Sequence, residues 1–452
     1  MDRVVMERTE NGENQVKVYK KRWCILTVVS LYGILLCIDF SCFGQINNVL
    51  AKLFDIQPWQ VDWLNLVAPV VYIVMAIPIS AVISFVQFRQ LTIIYLAIFT
   101  VGLILVLLGV SITRGFPCAI IGQVCIGFSA LFNFAGIPLT ASIWFPSNEV
   151  ALAVAVQLLS RGFGQVVGST VSPYLVHVNQ SVEQNRLHMM MFFGALASAA
   201  FLLTVFGFVF VENRPPSTAS FAQQNVTDPI SSFTVKGALK EFKEILTNRT
   251  VAPVLLAGCM CYVVIVFYTV LLSSILHKSF PSTRNINTLS GRLVMLAWAL
   301  STISSLVAGP IIIKTRAYKL LLLINVFGMV LSCACVLLFF IFQNIFLLYI
   351  GMAALGLFDG FVVTSVLELL AEVIYPKPMT HVTQLFLSGT AIMQLVYITV
   401  NRAILTNVGA IEANILTLVA CMFAFILLLI TKTSYARTEM NESNESANLL
   451  GN

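Results

Sequence analysis

Charge is scarce in this sequence: 10% of its 452 residues are charged, against 58% hydrophobic. Catalytic signatures are missing too. There is no Gly-rich phosphate loop, no catalytic-triad spacing and no metal-ligand cluster, so neither an enzyme nor a bound cofactor is expected. The basic residues form no stripe with interleaved aromatics, so the net charge of +6 does not point to nucleic acid. Histidine is limited to four residues without zinc spacing. His177, His188 and His277 fall near outer helix ends, where a solvated imidazole is the default reading and a shared haem or metal site the alternative. Ten cysteines are present, all in or beside apolar stretches, which reads as small packing residues rather than a disulfide framework. The first apolar run follows a basic cluster but has no small-residue cleavage site, which argues against a cleaved signal peptide.

What fills the chain is apolar sequence, in twelve segments near 24–45, 62–85, 91–111, 117–143, 150–176, 188–211, 251–276, 289–313, 320–343, 345–372, 381–400 and 410–431. About 20 helical residues cross a hydrocarbon core of about 30 Å. Lipid offers the backbone no partner, so each segment must bond to itself as a helix. The expected fold class is an all-α membrane protein of twelve transmembrane helices, embedded in a lipid bilayer. With the N-terminus inside, eighteen of the 26 Lys and Arg residues lie in the tails and cytoplasmic loops. Six lie in the opposite loops (Lys52, Arg114, Arg186, Lys278, Arg284 and Arg402), and Arg161 and Arg292 lie within spans. That bias places both termini in the cytosol.

The longest polar stretch, Glu212 to Thr250, divides the spans six and six. The implied organisation is a cytosolic tail at 1–23, a six-helix bundle at 24–211, a linker at 212–250, a second bundle at 251–431 and a tail at 432–452. The linker carries Pro215-Pro216 and a weakly amphipathic piece from Lys236 to Leu246. The halves echo each other. Phe88-Arg89 follows the second span and Tyr318-Lys319 the eighth; Phe145-Pro146 closes the fourth and Tyr375-Pro376 the tenth. Both pairs recur at an offset of 230 residues. Parallel halves of six spans are the pattern of secondary transporters, with the substrate site near mid-membrane, and match the architecture of the major facilitator superfamily.

A charge at membrane depth costs at least about 2.5 kcal/mol and must face a partner or a water-filled cavity. Asp39 lies about 22 Å along span 1 from Cys24, and Arg161 about 16 Å along span 5 from Val150, by helical rise. Two readings stay open: a buried ion pair locking spans 1 and 5, or a contact of one of them with substrate or a coupling proton. Asp359, near the middle of span 10, could attract a cation, titrate, or simply accept hydrogen bonds from a neighbouring helix. Glu368 and Glu372, one turn apart at the inner end of span 10, and Glu149, at the turn between spans 4 and 5, are expected to pair with basic loop residues or cap helix ends at a cytoplasmic gate. Phe40, Tyr268 and Gln394 sit at or above mid-depth in spans 1, 7 and 11. As a cavity wall they would suit a small amphipathic or cationic ligand; aromatic residues in apolar helices are otherwise packing.

The ordered series "YKKRWCILTVVSLY", "VDWLNLV", "IWFPSNEVALAVAV", Gly291-Arg292, Ala317–Lys319 and "LELLAEVIYP" resembles the feline leukaemia virus subgroup C receptor-related transporters of the major facilitator superfamily. The likeness covers most of the chain and thins in the tails and linker. It implies carriage of choline or ethanolamine, with haem export also proposed for the family. The family's choline site uses a span 1 tryptophan, a span 7 tyrosine and glutamines of spans 5 and 11. These fall on Phe40, Tyr268, Gly162 and Gln394, so the span 5 glutamine is lost. Asp39 and Arg161 are further departures, which leaves either a choline-like cation or a zwitterion or anion as the expected cargo. The expectation is a secondary transporter of a small polar metabolite working by alternating access, as a monomer. The alternatives are a haem exporter and a non-transporting receptor. The resemblance favours the plasma membrane, whereas Glu445 with Leu449-Leu450 fits an endosomal or lysosomal sorting signal. Asn179 is the one plausible glycosylation acceptor, because the sequons at Asn441 and Asn444 lie in a cytosolic tail.

Overall fold

The computed structural model describes residues 3–9, 12–146, 149–177, 180–215, 244, 247–281, 285–374 and 379–433. Twelve long helices carry the twelve apolar segments. In the first half, spans 1 to 6 are Lys21–Cys42, Trp63–Phe85, Phe88–Ser111, Phe116–Trp144, Val150–Leu175 and Val182–Phe210. In the second, spans 7 to 12 are Val251–Ser279, Ile286–Thr315, Tyr318–Phe342, Ile345–Ile374, Met379–Asn407 and Ala410–Ile430. Among the described residues, ten helices are long and apolar enough to cross a membrane.

Several helices outrun their apolar segments. Span 6 begins at Val182, well before 188, because Ser181 and Gln184 form a capping box that supports a polar first turn. Hydropathy registers only the apolar middle of such a helix. Two elements have no counterpart in the sequence reading. The N-terminal tail holds an antiparallel pair, β1 (Arg3–Thr9) and β2 (Gly12–Val18), in which Arg3 pairs with Val18 and Thr9 with Gly12. The connection after span 1 is also folded, through a 3-10 turn at Gly44–Ile46 and short helices Asn47–Phe54 and Pro58–Val61. Buried Asn47 ties it together, its amide donating to Asp62 Oδ1 at 2.8 Å and to the Pro58 carbonyl at 3.0 Å. The segment 236–246 (Glu244 excepted), Tyr375-Pro376, the sorting signal and Asn179, Asn441 and Asn444 lie outside the described residues.

The chain divides into two compact units, Met1–Val235 and Lys236–Asn452. Each has the same internal plan. In the first, span 1 packs on spans 5 and 6, span 2 on span 4, and span 3 on spans 4 and 6. In the second, span 7 packs on spans 11 and 12, span 8 on span 10, and span 9 on spans 10 and 12. The helix limits keep the offset seen in sequence: spans 3 and 9 start at residues 88 and 318, and spans 4 and 10 end at 144 and 374.

Small residues set the closest helix pairs. A methyl built on Gly164 would lie 2.4 Å from the Ile34 carbonyl oxygen, and one on Gly168 would lie 2.1 Å from Ser41 Oγ. Ser172 continues the stripe, donating to the Cys42 carbonyl at 2.9 Å. Spans 1 and 5 therefore run parallel with nearly touching backbones, the small-xxx-small contact that packs helices where lipid provides no hydrophobic drive. Gly356 and Gly360 do the same for span 10 on span 8, against the carbonyls of Ala297 and Ser301.

Candidate functional site

The polar groups of the first half lie in separate layers. Asp39 is fully buried, and both its carboxyl oxygens accept from Gln123 Nε2 of span 4, at 3.2 and 3.1 Å. Arg161 of span 5 is half-buried, with Nη1 donating to Asn133 Oδ1, also of span 4, at 2.5 Å. Gln123 and Asn133 are ten residues apart on one helix, about 15 Å by helical rise. Of the two readings left open for this pair, the direct ion pair is not formed: Asp39 takes Gln123 and Arg161 takes Asn133, each an amide of span 4. The reason is register. Span 1 starts at Lys21, and a methyl built on Gly33 would lie 3.1 Å from Arg161 Cγ, so Arg161 passes span 1 six residues short of Asp39. Gln165, one turn beyond Arg161 and on its side of span 5, is half-buried, and its Oε1 has no hydrogen-bond partner among the described residues. Phe40 is half-buried beside Asp39.

At the N-terminal end of span 1, Arg22 forms an ion pair with Glu149 at 2.8 Å. Its guanidinium carbon lies 5.3 Å from the Trp23 ring centre and 5.2 Å from that of Phe145. Glu149 thus takes a basic partner at the start of a helix in its own half. Trp23 is 43% exposed, so its cation–π contact falls in the range of about 0.5–1 kcal/mol, whereas that with buried Phe145 can reach about 2 kcal/mol. Arg89 explains half of the sequence echo: its Nη2 donates to the Phe208 carbonyl in the last turn of span 6 at 3.1 Å. Lys319 explains the other half, donating to the Thr431 and Leu429 carbonyls at the end of span 12, at 2.6 and 3.5 Å. Each cation satisfies helix-end carbonyls that have no intrahelical donor and sits at the negative end of the dipole.

In the second half, Tyr268 is fully buried and donates through its hydroxyl to Asn414 Oδ1 of span 12 at 3.0 Å. Its ring packs against Phe267. Asp359 is buried and accepts from Ser301 Oγ of span 8 at 2.8 Å, while its Oδ1 has no hydrogen-bond partner among the described residues. Of the acids at the inner end of span 10, Glu372 is buried and Glu368 half-buried. Gln394 is half-buried at the middle of span 11. No hydrogen bond joins Tyr268, Asp359 and Gln394 to one another. Asn414 and Ser301 were missed as partners, as were Gln123 and Asn133, because an uncharged polar residue in an apolar helix carries no signal of what it meets.

The opposite ends of the second-half helices hold a polar cluster that includes His277, Lys278 and Arg402. His277 Nε2 and Ser273 Oγ both lie within hydrogen-bond distance of Asn287 Oδ1, at 2.9 and 3.0 Å. Lys278 Nζ donates to the Leu405 carbonyl and, at 3.1 Å, to that of Thr406, and Arg402 donates to Ser274 Oγ at 3.2 Å. Among the described residues no group of three or more His, Cys, Asp or Glu is placed to share a metal ion. The ten cysteines are free thiols, with Cys333 and Cys421 3.7 Å apart between spans 9 and 12.

The Major Facilitator Superfamily profile matches residues 29–398. This chain belongs to the major facilitator superfamily. It is therefore a multi-pass integral membrane protein of the transporter class. The superfamily fold is matched by solved structures at low identity. A bacterial homologue of the human lysosomal transporter Spinster aligns with TM-score 0.67 and 11% identity, over 91% of this chain and 97% of that one. The D-xylose–proton symporter aligns with TM-score 0.65 and 13% identity, over 92% and 98%. Within the superfamily, the choline/ethanolamine transporter flvcr2a of Danio rerio is 23% identical over 436 residues, 95% of this chain and 90% of that protein. The choline/ethanolamine transporter FLVCR2 of Homo sapiens is 23% identical over 429 residues, covering 91% and 78%.

Proposed function

We propose that this transporter carries a small amine-bearing metabolite of the choline and ethanolamine kind, by alternating access. The observation that carries the reading is similarity to choline/ethanolamine transporters along almost the whole chain, through both halves. Two half-buried groups are compatible with it: Phe40, near the end of span 1, and Gln394, at the middle of span 11, where a polar amide facing lipid would be costly. A substrate-binding role is assigned to Phe40 within the first half and, separately, to Gln394 within the second. Tyr268 acts at one remove, its hydroxyl engaged by Asn414. Glu149, Glu368 and Glu372 are assigned to the cytoplasmic end, Glu149 through its pair with Arg22. Both termini face the cytosol, and the protein works as a monomer at the plasma membrane. Asp39 and Asp359 are assigned to proton coupling or to structure, according to whether a pH gradient drives uptake.

The test is uptake of labelled choline and ethanolamine by vesicles containing the purified protein. Saturable uptake, reduced at least about tenfold by Gln394→Ala, is expected. Absence of saturable uptake for every amine offered would overturn the assignment.

A further inference from the structure

We infer that Asp359 carries the coupling proton of this transporter and that Asp39 does not. The inference rests on the transporter reading above and narrows its account of the two buried acids. Asp359 is residue 15 of the 30 in span 10, at the middle of the helix, and is buried. An ionised carboxyl has room for about four hydrogen bonds on its two oxygens. In Asp359, Oδ2 accepts one, from Ser301 Oγ of span 8 at 2.8 Å, and Oδ1 accepts none among the described residues.

A neighbouring cation could still support the charge, and the helices packed on span 10 are spans 7, 8, 9 and 11. Among the described residues, span 7 turns the Cys261 thiol towards Asp359, and spans 8, 9 and 11 present no ionisable group to it. Arg292 of span 8 precedes Ser301 by nine residues, about 14 Å of helix, and Glu368 follows Asp359 by the same interval on span 10. An ionised Asp359 would be a charge in mid-membrane with one hydrogen bond and no counter-ion. Protonated, the group is neutral: Oδ2 stays the acceptor for Ser301, and Oδ1 carries the hydrogen. One unmade hydroxyl bond costs less than one stranded charge.

Asp39 is built differently. It is residue 19 of the 22 in span 1, and both its oxygens accept from Gln123 Nε2, at 3.2 and 3.1 Å. Adding a hydrogen to either oxygen would weaken an acceptor that the amide already uses. The proton on Asp359 becomes a coupling proton because the site is shut off from water here, whereas alternating access opens mid-membrane sites to each side in turn. A proton taken from water on one side then leaves on the other only as the cycle turns over.

The experiment uses vesicles containing the full-length protein, loaded with a pH-sensitive dye and clamped at zero membrane potential. Labelled choline and ethanolamine are the probes. With one proton moved per amine, a difference of one pH unit shifts steady-state accumulation about tenfold, and its sign separates symport from exchange. Asp359→Asn keeps an acceptor for Ser301 but cannot titrate. It should erase both the pH response and the dye signal, while exchange of labelled for unlabelled amine persists. Asp39→Asn should retain the pH response. Should Asp359→Asn fail to fold, dicyclohexylcarbodiimide on the wild-type protein decides, because it adds to un-ionised carboxyls in apolar surroundings. Mass mapping should then find the label on Asp359 as the pH response disappears. Accumulation indifferent to pH, a response retained by Asp359→Asn, or label that abolishes the response without reaching Asp359 overturns the inference and leaves the transporter reading standing. Failure to take up either amine at any pH overturns that reading and the inference together.

Discussion

One amide nitrogen of Gln123 serves both carboxyl oxygens of Asp39, at 3.2 and 3.1 Å, with neither side chain exposed. An acid so placed depends on its donor. Gln123→Leu strips the buried carboxyl of its hydrogen bonds and is expected to cost about 1–3 kcal/mol. Asp39→Asn keeps an acceptor for the same donor and should cost less. Thermal unfolding in detergent ranks the two, and equal losses would contradict the arrangement.

Gly168 and Gly194 offer a matched pair. A methyl on Gly168 meets Ser41 Oγ at 2.1 Å and the Ile38 carbonyl oxygen at 2.4 Å, whereas one on Gly194 meets nothing within 4 Å. Gly168→Ala should push spans 1 and 5 apart, at a cost of about 1–3 kcal/mol, the range for overpacking. Gly194→Ala should be neutral or slightly stabilising, since alanine is the better helix former. Folded yield and melting temperature read out both.

Breaking the Arg22–Glu149 pair leaves a guanidinium buried among aromatic rings. Glu149→Gln is expected to cost about 1–3 kcal/mol, below the range for a fully buried pair because Glu149 keeps some solvent contact. The double change Arg22→Met with Glu149→Gln should recover part of that loss, because it removes the stranded charge. Additive losses in the cycle would show that the two side chains do not interact.

Arg89 and Lys319 should respond alike. Arg89→Ala and Lys319→Ala each leave carbonyls at the end of a sixth helix without a donor, and each should cost about 0.5–2 kcal/mol. Hydrogen exchange should quicken near Phe208 in the first variant and near Leu429 in the second. Exchange that quickens at the same end in both would refute the parallel assignment.

The sequence made the twelve helices and the six-plus-six division legible because both follow from bulk properties: apolar length, and the position of the longest polar stretch. The echo at 230 residues was also visible, and Arg89 and Lys319 give it a physical cause. The hairpin escaped a reading of the tail for charge alone, although the sequence carries Asn-Gly, a strong turn signal, where β2 begins at Gly12. The polar contacts were the least legible. Helical rise from Cys24 and Val150 placed Asp39 and Arg161 at similar depth, but register depended on Gly164 and Gly168 sliding span 5 along span 1. The true partners, Gln123 and Asn133, were uncharged residues on a third helix, which no spacing rule would have picked out.

The latches of Arg89 and Lys319 each begin and end inside a single half. What the two copies share is carpentry: where helices start, stop and are pinned. What they do not share is Arg161, whose counterpart by the same count of 230 is Ala391. A frame pinned in the same way twice can hold different side chains at matched positions without changing where its helices begin and end.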